Sequence, residues 1–444
     1  MKFPKIPPDW QKLLKEVANL NKVDVFIRSG QEESARTDRY LHWDEFSHRA
    51  SPGELSLEQQ WAAIRMRRNL RSQSIPLTDS KGRPFTFFLT QRAFEILHEI
   101  DLNCGGRIGV HEDGILQENT RDRYYVDSIV EEALTSSQLE GAVVTRSEAR
   151  EMIRSHRAPA TSHERMVINN YHTMRLISGL KGKPLTPELI LLIHQNVTAN
   201  TLERKEDEGS FRPAGSNVRV EDDESGEVFH IPPPAEELEE RIERMCAFAN
   251  ETGMNGFLHP VIRSIILHFW VAFDHPFIDG NGRTARALFY WSMLRHGFWL
   301  AEFFSISHEI LKAPKKYYRA FLHTETDAND LNYFILHQLE VILSSIKSLQ
   351  SYIRRKQEEV ENLRKHLSAG GDFNHRQLAL LRHALKHPFA SYTVVSHQTS
   401  HAISNQTAKN DLVALEIKNL LTKRKSGKAF VYSPASDLAA KLTG

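Results

Sequence analysis

The sequence predicts a mainly α protein with one small β-hairpin and a separate C-terminal helical module. Three observations carry that prediction. Apolar residues keep helical spacing from about Tyr125 to Ser344, a single β-like island at 216–231 interrupts them, and a basic segment, 372–441, follows a break at 368–372. At 444 residues the chain is too long for one ordinary domain of roughly 100–200 residues. Hydrophobic residues make up 40% and charged residues 25%, which excludes wholesale disorder. Lys plus Arg number 57 against 56 for Asp plus Glu, so no global charge draws the chain to nucleic acid or membrane. No run approaches the ~18 apolar residues of a membrane span. The opening MKFPKIPPDW has Pro, Asp and Lys where a signal peptide needs an apolar core, and two cysteines, Cys104 and Cys246, cannot build a disulfide framework. A cytoplasmic, reducing location is the expectation.

In chain order, Leu57–Leu70 and Gln91–Ile100 read as helices, with SKGRP at 80–84 as a turn before the strand-like FTFFL. This N-terminal region, 1–120, carries no chemistry signature. Within the island, NVRVE at 217–221 and EVFHI at 227–231 are strand candidates joined by the acidic turn DDESG, a hairpin pattern. PPP at 232–234 ends it and leads into a helix at 235–249. From Leu331 to Leu367, steps of three and four link Leu331, Ile335, Leu339, Ile342, Ile346, Leu349, Ile353, Val360, Leu363 and Leu367. That pattern fits a long helix packed on its own domain; a partner helix, and so a homodimer, is the alternative.

The chemistry concentrates in HPFIDGNGRTAR, His275–Arg286. Helical spacing at Leu258, Val261, Ile262, Ile265, Phe269 and Ala272 precedes it, and Leu288, Trp291 and Leu294 follow, so the motif is a tight loop between two apolar helices. Gly280, Asn281 and Gly282 open the second helix, whose first amides lack internal partners and form an anion site. The glycines let phosphate oxygens approach the backbone. Arg283 and Arg286, three apart, share a face and can clamp a polyphosphate. Asp279 is a hard oxygen ligand suited to a phosphate-bound Mg²⁺. His275, with an ordinary pKa near ~6.5, can accept a proton at neutral pH. Together these describe phosphoryl or nucleotidyl transfer. No GxxxxGK[ST] occurs, so a P-loop is excluded.

This run resembles the Fic family signature, HxFx[DE]GNGRxxR, at every defining position. The resemblance implies a helical Fic core over about 121–345 that transfers AMP from ATP to a Ser, Thr or Tyr hydroxyl of a target protein, or of the chain itself, releasing pyrophosphate. His275 would then be the base, Asp279 the Mg²⁺ ligand, Gly280, Asn281, Gly282 and Arg283 nucleotide-binding residues, and Arg286 the partner of the γ-phosphate. The hairpin at 217–231 sits where the family places a flap that pairs with an extended target segment; Val228, Phe229 and His230 are the flap residues expected near the nucleotide. SSQLEG at 136–141 resembles the family's inhibitory motif, [ST]xxxE[GN], with Ser136, Glu140 and Gly141 in place. A carboxylate on Arg286 would withhold that arginine from ATP, so autoinhibition by Glu140 is expected. In some relatives the same glutamate supports removal of AMP, which keeps a de-AMPylating enzyme open. Tyr317 and Tyr318 are candidates for the adenine pocket or for core packing, with Tyr318 the nucleotide-side choice.

Beyond the long-helix end and linker at 346–371, residues 372–441 hold ten Lys or Arg against four Asp or Glu. Helical text at 375–386, 393–403 and 405–421 precedes KRKSGKAFVYSP, which resembles the wing of a winged helix-turn-helix, so 372–444 is expected to be a winged-helix-like domain. Gln406, Lys409 and Asn410 would start its recognition helix, and Lys423, Arg424, Lys425 and Lys428 would lie near phosphates. A basic protein-binding module is the alternative. A DNA-binding regulator with a nucleotide-sensing core is accordingly the second reading of the whole chain.

Overall fold

The computed structural model describes residues 2–19, 24–26, 40–48, 54–104, 118–221, 226–252, 256–369, 373–387, 390–426 and 429–442. The chain divides into two compact units, Met1–Arg107 with Asp127–Ile346, and Ile108–Val126 with Lys347–Gly444. Among the described residues, no helix is long and apolar enough to cross a membrane.

The first unit begins with α1 (Trp10–Asn19), α2 (Trp43–Phe46) and α3 (Leu57–Arg71), then a hairpin of β1 (Gln73–Thr78) and β2 (Pro84–Phe87), and α4 (Gln91–Cys104). Ser56 and Gln59 cap α3 reciprocally, satisfying amides that the helix cannot. There follow α5 (Glu118–Leu139), α6 (Arg146–Ser155), α7 (Ser162–Leu180) and α8 (Pro187–Thr198), the last started by Thr186 and a first-turn proline. The second hairpin pairs β3 (Val220–Glu221) with β4 (Val228–His230), antiparallel and bulged. Its strands are shorter than the sequence suggests, and its turn residues 222–225 lie outside the described residues. After Pro232–Pro234 comes one 3₁₀ turn, then α9 (Leu238–Ala249).

The centre of this unit is a helical hairpin, α10 (Pro260–Asp274) and α11 (Asn281–Arg295). The spacing read from the sequence implies one apolar face, yet every α10 residue from Val261 to Asp274 except Ala272 is buried. On α11 the same holds from Arg283 to Leu294. Helices buried on all sides must satisfy their polar groups internally. Ser264 Oγ therefore donates to Ser292 Oγ across the hairpin at 2.8 Å. Asp274, fully buried, accepts from Arg241 Nη2 on α9 at 2.6 Å and from Trp270 Nε1 at 2.9 Å, while Arg241 also donates to Thr78 O of β1. One ion pair thus joins β1, α9 and the end of α10.

The unit is completed by α12 (Ile306–Lys312), α13 (Pro314–Thr326) and the start of α14 (Asn332–Ala369). Leu331, Ile335, Leu339, Ile342 and Ile346 are buried. The first half of the near-heptad row is therefore consumed in packing; the side chains of Val360, Leu363 and Leu367 lie outside those described. In the second unit, α15 (His375–Lys386), α16 (Val394–His401) and α17 (Asn405–Ile417) precede β5 (Leu421–Ser426) and β6 (Ala429–Pro434). Leu380, Leu381, Leu412, Leu415, Leu421 and Tyr432 build their own core. Asp411 pins three helices by accepting from Asn374, Arg376 and His397.

Removing Arg241 would leave the Asp274 carboxylate buried beside the candidate site without its cation. Arg241→Ala is expected to destabilise the first unit by about 3–5 kcal/mol. Urea denaturation checks it, and a loss below about 1 kcal/mol would show that the pair is not structural.

Candidate active site

The site is built on the six residues joining α10 to α11. His275 takes a left-handed conformation, φ 46° and ψ 56°, and its amide closes α10 on Val271 O. Its Nδ1 lies 3.2 Å from Ala272 O. A carbonyl only accepts, so Nδ1 carries the proton and Nε2 keeps a lone pair. Burial holds the His275 pKa down, to about 4; the Ala272 bond and the Glu140 carboxylate oppose this, and His230 and Arg212 reinforce it. The imidazole is a neutral base at pH 7.

Gly280 opens α11 at φ 82°, and a Cβ there would come 2.6 Å from Thr198 Cγ2, so both conformation and space demand glycine. Asn281 is buried, with Oδ1 accepting from Phe277 N–H at 3.0 Å and Nδ2 donating to Phe277 O at 2.9 Å. The sequence reading gave Asn281 to phosphates; its side chain instead ties the loop shut, leaving only its backbone to face an anion. Asp279 remains accessible, its side chain 58% exposed, with Oδ2 3.3 Å from Arg283 Nη2. Arg283 and Arg286 do not form the common clamp that their spacing implies. Arg283 turns to Asp279 and to Val197 O of α8. Arg286 turns to α5, donating from Nε to Ser136 Oγ, and from Nη2 to Ser136 O and Glu140 Oε1, each at 2.9 Å.

Glu140 follows the last residue of α5, whose end is closed by Gly141 at φ 86° and by Ala142 N–H donating to Ser137 O. Asn170 of α7 donates to Ser137 Oγ at 2.9 Å. The Glu140 carboxylate lies over Gly282: a Cβ on that glycine would meet Glu140 Cδ at 2.9 Å and Arg286 Nη1 at 3.1 Å. A negative charge thus covers the amide end of α11, where an anion is favoured.

The flap residues Val228 and Phe229 are half-buried. His230 is engaged at both ring nitrogens: Nε2 bonds Phe273 O and Nδ1 bonds Glu325 Oε2, both at 2.7 Å. Burial opposes its charge, but the Glu325 carboxylate, the Phe273 carbonyl and Asp274 together outweigh burial and raise its pKa above the ordinary histidine value. Held at both nitrogens, His230 anchors the hairpin to the end of α10 and to α13. Tyr317 is buried with its hydroxyl 2.9 Å from His268 Nε2, whereas Tyr318 is 40% exposed.

Three residues of this site escape sequence reasoning. His194 of α8 stacks on Phe277 at 3.7 Å, accepts from Gly209 N–H at Nδ1, and donates from Nε2 to Asp279 O at 2.8 Å. Its only signal is a histidine inside the apolar run LILLIHQNV. Glu132, buried on α5, accepts from Tyr290 Oη, Ser305 Oγ, and Ser307 N–H and Oγ. Arg212 donates from Nε to His275 O at 2.9 Å.

The Fic/DOC family model matches residues 184–293. The protein adenylyltransferase Fic of Nematostella vectensis is 30% identical over 174 residues, 37% of this chain and 37% of that one. Its namesake in Drosophila grimshawi is 38% identical over 69 residues, 16% and 14% of the two chains. The chain therefore spans little more than a third, at most, of the length of these relatives. A Fic family protein from Desulfovibrio desulfuricans G20 shares the fold, with a TM-score of 0.52 at 19% identity over 82% of this chain and 99% of that one. The observed architecture is the mainly helical Fic fold with small two-stranded antiparallel sheets, and residues 184–293 of the chain match the Fic/DOC family.

Proposed function

We propose that this protein is an adenylyltransferase that moves AMP from ATP to a serine, threonine or tyrosine hydroxyl of a protein, itself included, and that Glu140 restrains it. The observation that carries this reading is a neutral His275 whose Nε2 has no hydrogen-bond partner among the described residues, beside the amide end of α11. The distant relatives named as protein adenylyltransferases support it. Nε2 takes the proton of the target hydroxyl as its oxygen bonds to the α-phosphorus; the bond from that phosphorus to the bridging oxygen breaks, and pyrophosphate leaves. Backbone amides of Gly280, Asn281 and Gly282 and the Arg286 guanidinium would hold the phosphates. Val228, Phe229 and Tyr318 are the candidate contacts to the rest of the nucleotide. Asp279 fits a phosphate-bound Mg²⁺, being an accessible hard carboxylate, and no three-residue metal cluster occurs among the described residues. When bound, Mg²⁺ would neutralise charge on the phosphates. An extended target segment would add to the hairpin edge, where Ile231 is 74% exposed and apolar.

Inhibition follows from shared volume. With Glu140 on Arg286 and over Gly282, a triphosphate loses a bidentate partner, worth roughly 1.5–3 kcal/mol, and meets a like charge. We further propose that residues 372–444 form a winged helix-turn-helix that binds duplex DNA. Support comes from the helix order α15, α16, α17, the β5–β6 hairpin, and a bridge from Tyr392, between α15 and α16, to Tyr432 of β6. Asn405, Gln406, Lys409 and Asn410 are exposed on α17, and Lys423, Arg424 and Lys425 on β5.

Glu140→Gly should raise protein labelling from α-labelled ATP, and adding His275→Ala should abolish it, since a positioned base contributes roughly 10²–10⁴-fold. Equal labelling by wild type and Glu140→Gly would sink the inhibitory role. In the Glu140→Gly protein, kcat/KM should stay level down to pH 6 and fall only as His275 is protonated, near 4 or below, because its charged form is the one burial disfavours. An acid limb at ~6.5 would contradict a buried base. For the C-terminal module, duplex affinity of the full chain should drop with salt, each phosphate contact adding about −0.9 to the log–log slope. Replacing Lys423, Arg424 and Lys425 by alanine should flatten that slope for all sequences alike; an unchanged slope removes the proposed wing contact.

A further inference from the structure

Arg212 lies in the segment that leads into the flap and is only 5% exposed. Its guanidinium reaches in three directions. Nε donates to His275 O at 2.9 Å; Nη2 donates to Pro233 O and, at 3.5 Å, to Asp274 O; Nη1 donates to Ser216 Oγ at 3.4 Å. Its own backbone N–H donates to Pro276 O at 2.9 Å. Ser216 precedes the first strand of the flap and Pro233 follows the second, so one side chain holds both legs of the hairpin and the first residue of the motif loop, while the Arg212 backbone holds the second. Among the described residues no carboxylate pairs with it. Burial disfavours its charge; Asp274 and Glu236 oppose this without a direct ion pair, and its hydrogen bonds go to converging carbonyls and the Ser216 hydroxyl. Holding a loop does not by itself require a charged fork. Holding two separate segments in one register does, because the planar guanidinium fixes the angle between its acceptors as well as their distance.

We propose that Arg212 is a positioning residue that couples the target-docking flap to the base, so that a segment lying on the hairpin and the His275 imidazole keep one fixed spacing. The inference rests on the reading of His275 as the base. It differs from a purely structural role in what it predicts: loss of Arg212 should spare nucleotide binding and strike the transfer step. A misplacement of about 1 Å between reacting groups is enough for a rate loss on the order of 10²-fold. Lysine at 212 keeps the charge but supplies one point donor in place of the fork, so it should not rescue.

The test uses the full chain with Glu140→Gly as background, carrying Arg212→Lys or Arg212→Gln. ATP affinity by calorimetry should stay within about twofold, while protein labelling from α-labelled ATP falls by on the order of 10²-fold in both variants. Glu140, His230 and Arg212 act electrostatically on His275, and in this background His230 and Arg212 remain. Arg212→Gln, which removes a positive charge, should raise the His275 pKa measured by NMR, whereas Arg212→Lys should not. ATP affinity falling in step with labelling, or full rescue by lysine, would overturn the proposal. Native-state hydrogen exchange on the unmutated chain decides it independently of folding or activity. The amides of Arg212, His275 and β4 should open in one event with a common urea dependence. Separate openings would show that flap and base are not coupled. If the background protein labels nothing, the transferase reading fails while the exchange result still stands on its own.

Discussion

The chain must reverse between α10 and α11 within six residues while both helices stay buried. That constraint dictates the rest of the site. The reversal needs left-handed backbone at both ends, supplied by His275 at φ 46° and by Gly280 at φ 82°. A non-glycine residue in that region is strained, and it persists only where its surroundings over-determine it. Here they do. Val271 takes the His275 amide, Arg212 the His275 carbonyl, His194 the Asp279 carbonyl, and the Asn281 amide both polar groups of Phe277. The candidate base is therefore a helix cap whose position is set by backbone geometry more than by its own side chain.

What could be read from the sequence and what could not divide along this line. The loop 275–286 was legible because its chemistry is local: residue types, glycine positions and flanking helical periods all lie within one short run. The segment 136–141 stood out for the same reason, and Arg286 meets its Ser136 and Glu140. Arg212, His194 and Glu132 were not legible. Their partners are mostly backbone groups or hydroxyls far along the chain, and such partners leave no residue-type signature. Periodicity failed in one respect too. It gave α10 a single apolar face because Arg263, Ser264 and His268 are polar, yet each is buried. Spacing likewise paired Arg283 with Arg286, but residues three apart on a helix diverge when each finds a different neighbour.

Charge in the first unit is placed by the same economy of partners. Asp274 has Arg241, Arg286 has Glu140, and His230 has Glu325, each across elements and each largely withdrawn from water. Such pairs add little net stability over apolar packing, but breaking one is severe, so they specify which helix ends meet. Arg212 stands apart among them: among the described residues its hydrogen-bond partners are backbone carbonyls and one hydroxyl, Ser216 Oγ.

The anchoring of Glu132 limits how the Arg286–Glu140 contact can open. Glu132 on α5 and Glu140, just past its end, are eight residues apart, about 12 Å along the axis at the usual rise. Glu132 is held by four donors from Tyr290, Ser305 and Ser307. Withdrawing α5 bodily would strip a buried carboxylate of all of them. Fraying only its final turn, or rotating one side chain, leaves them intact and sacrifices few hydrogen bonds. Opening of this contact is thus a local melting event, drawn from the shallow end of the protein's range of unfolding free energies, with the body of the helix acting as a fixed post.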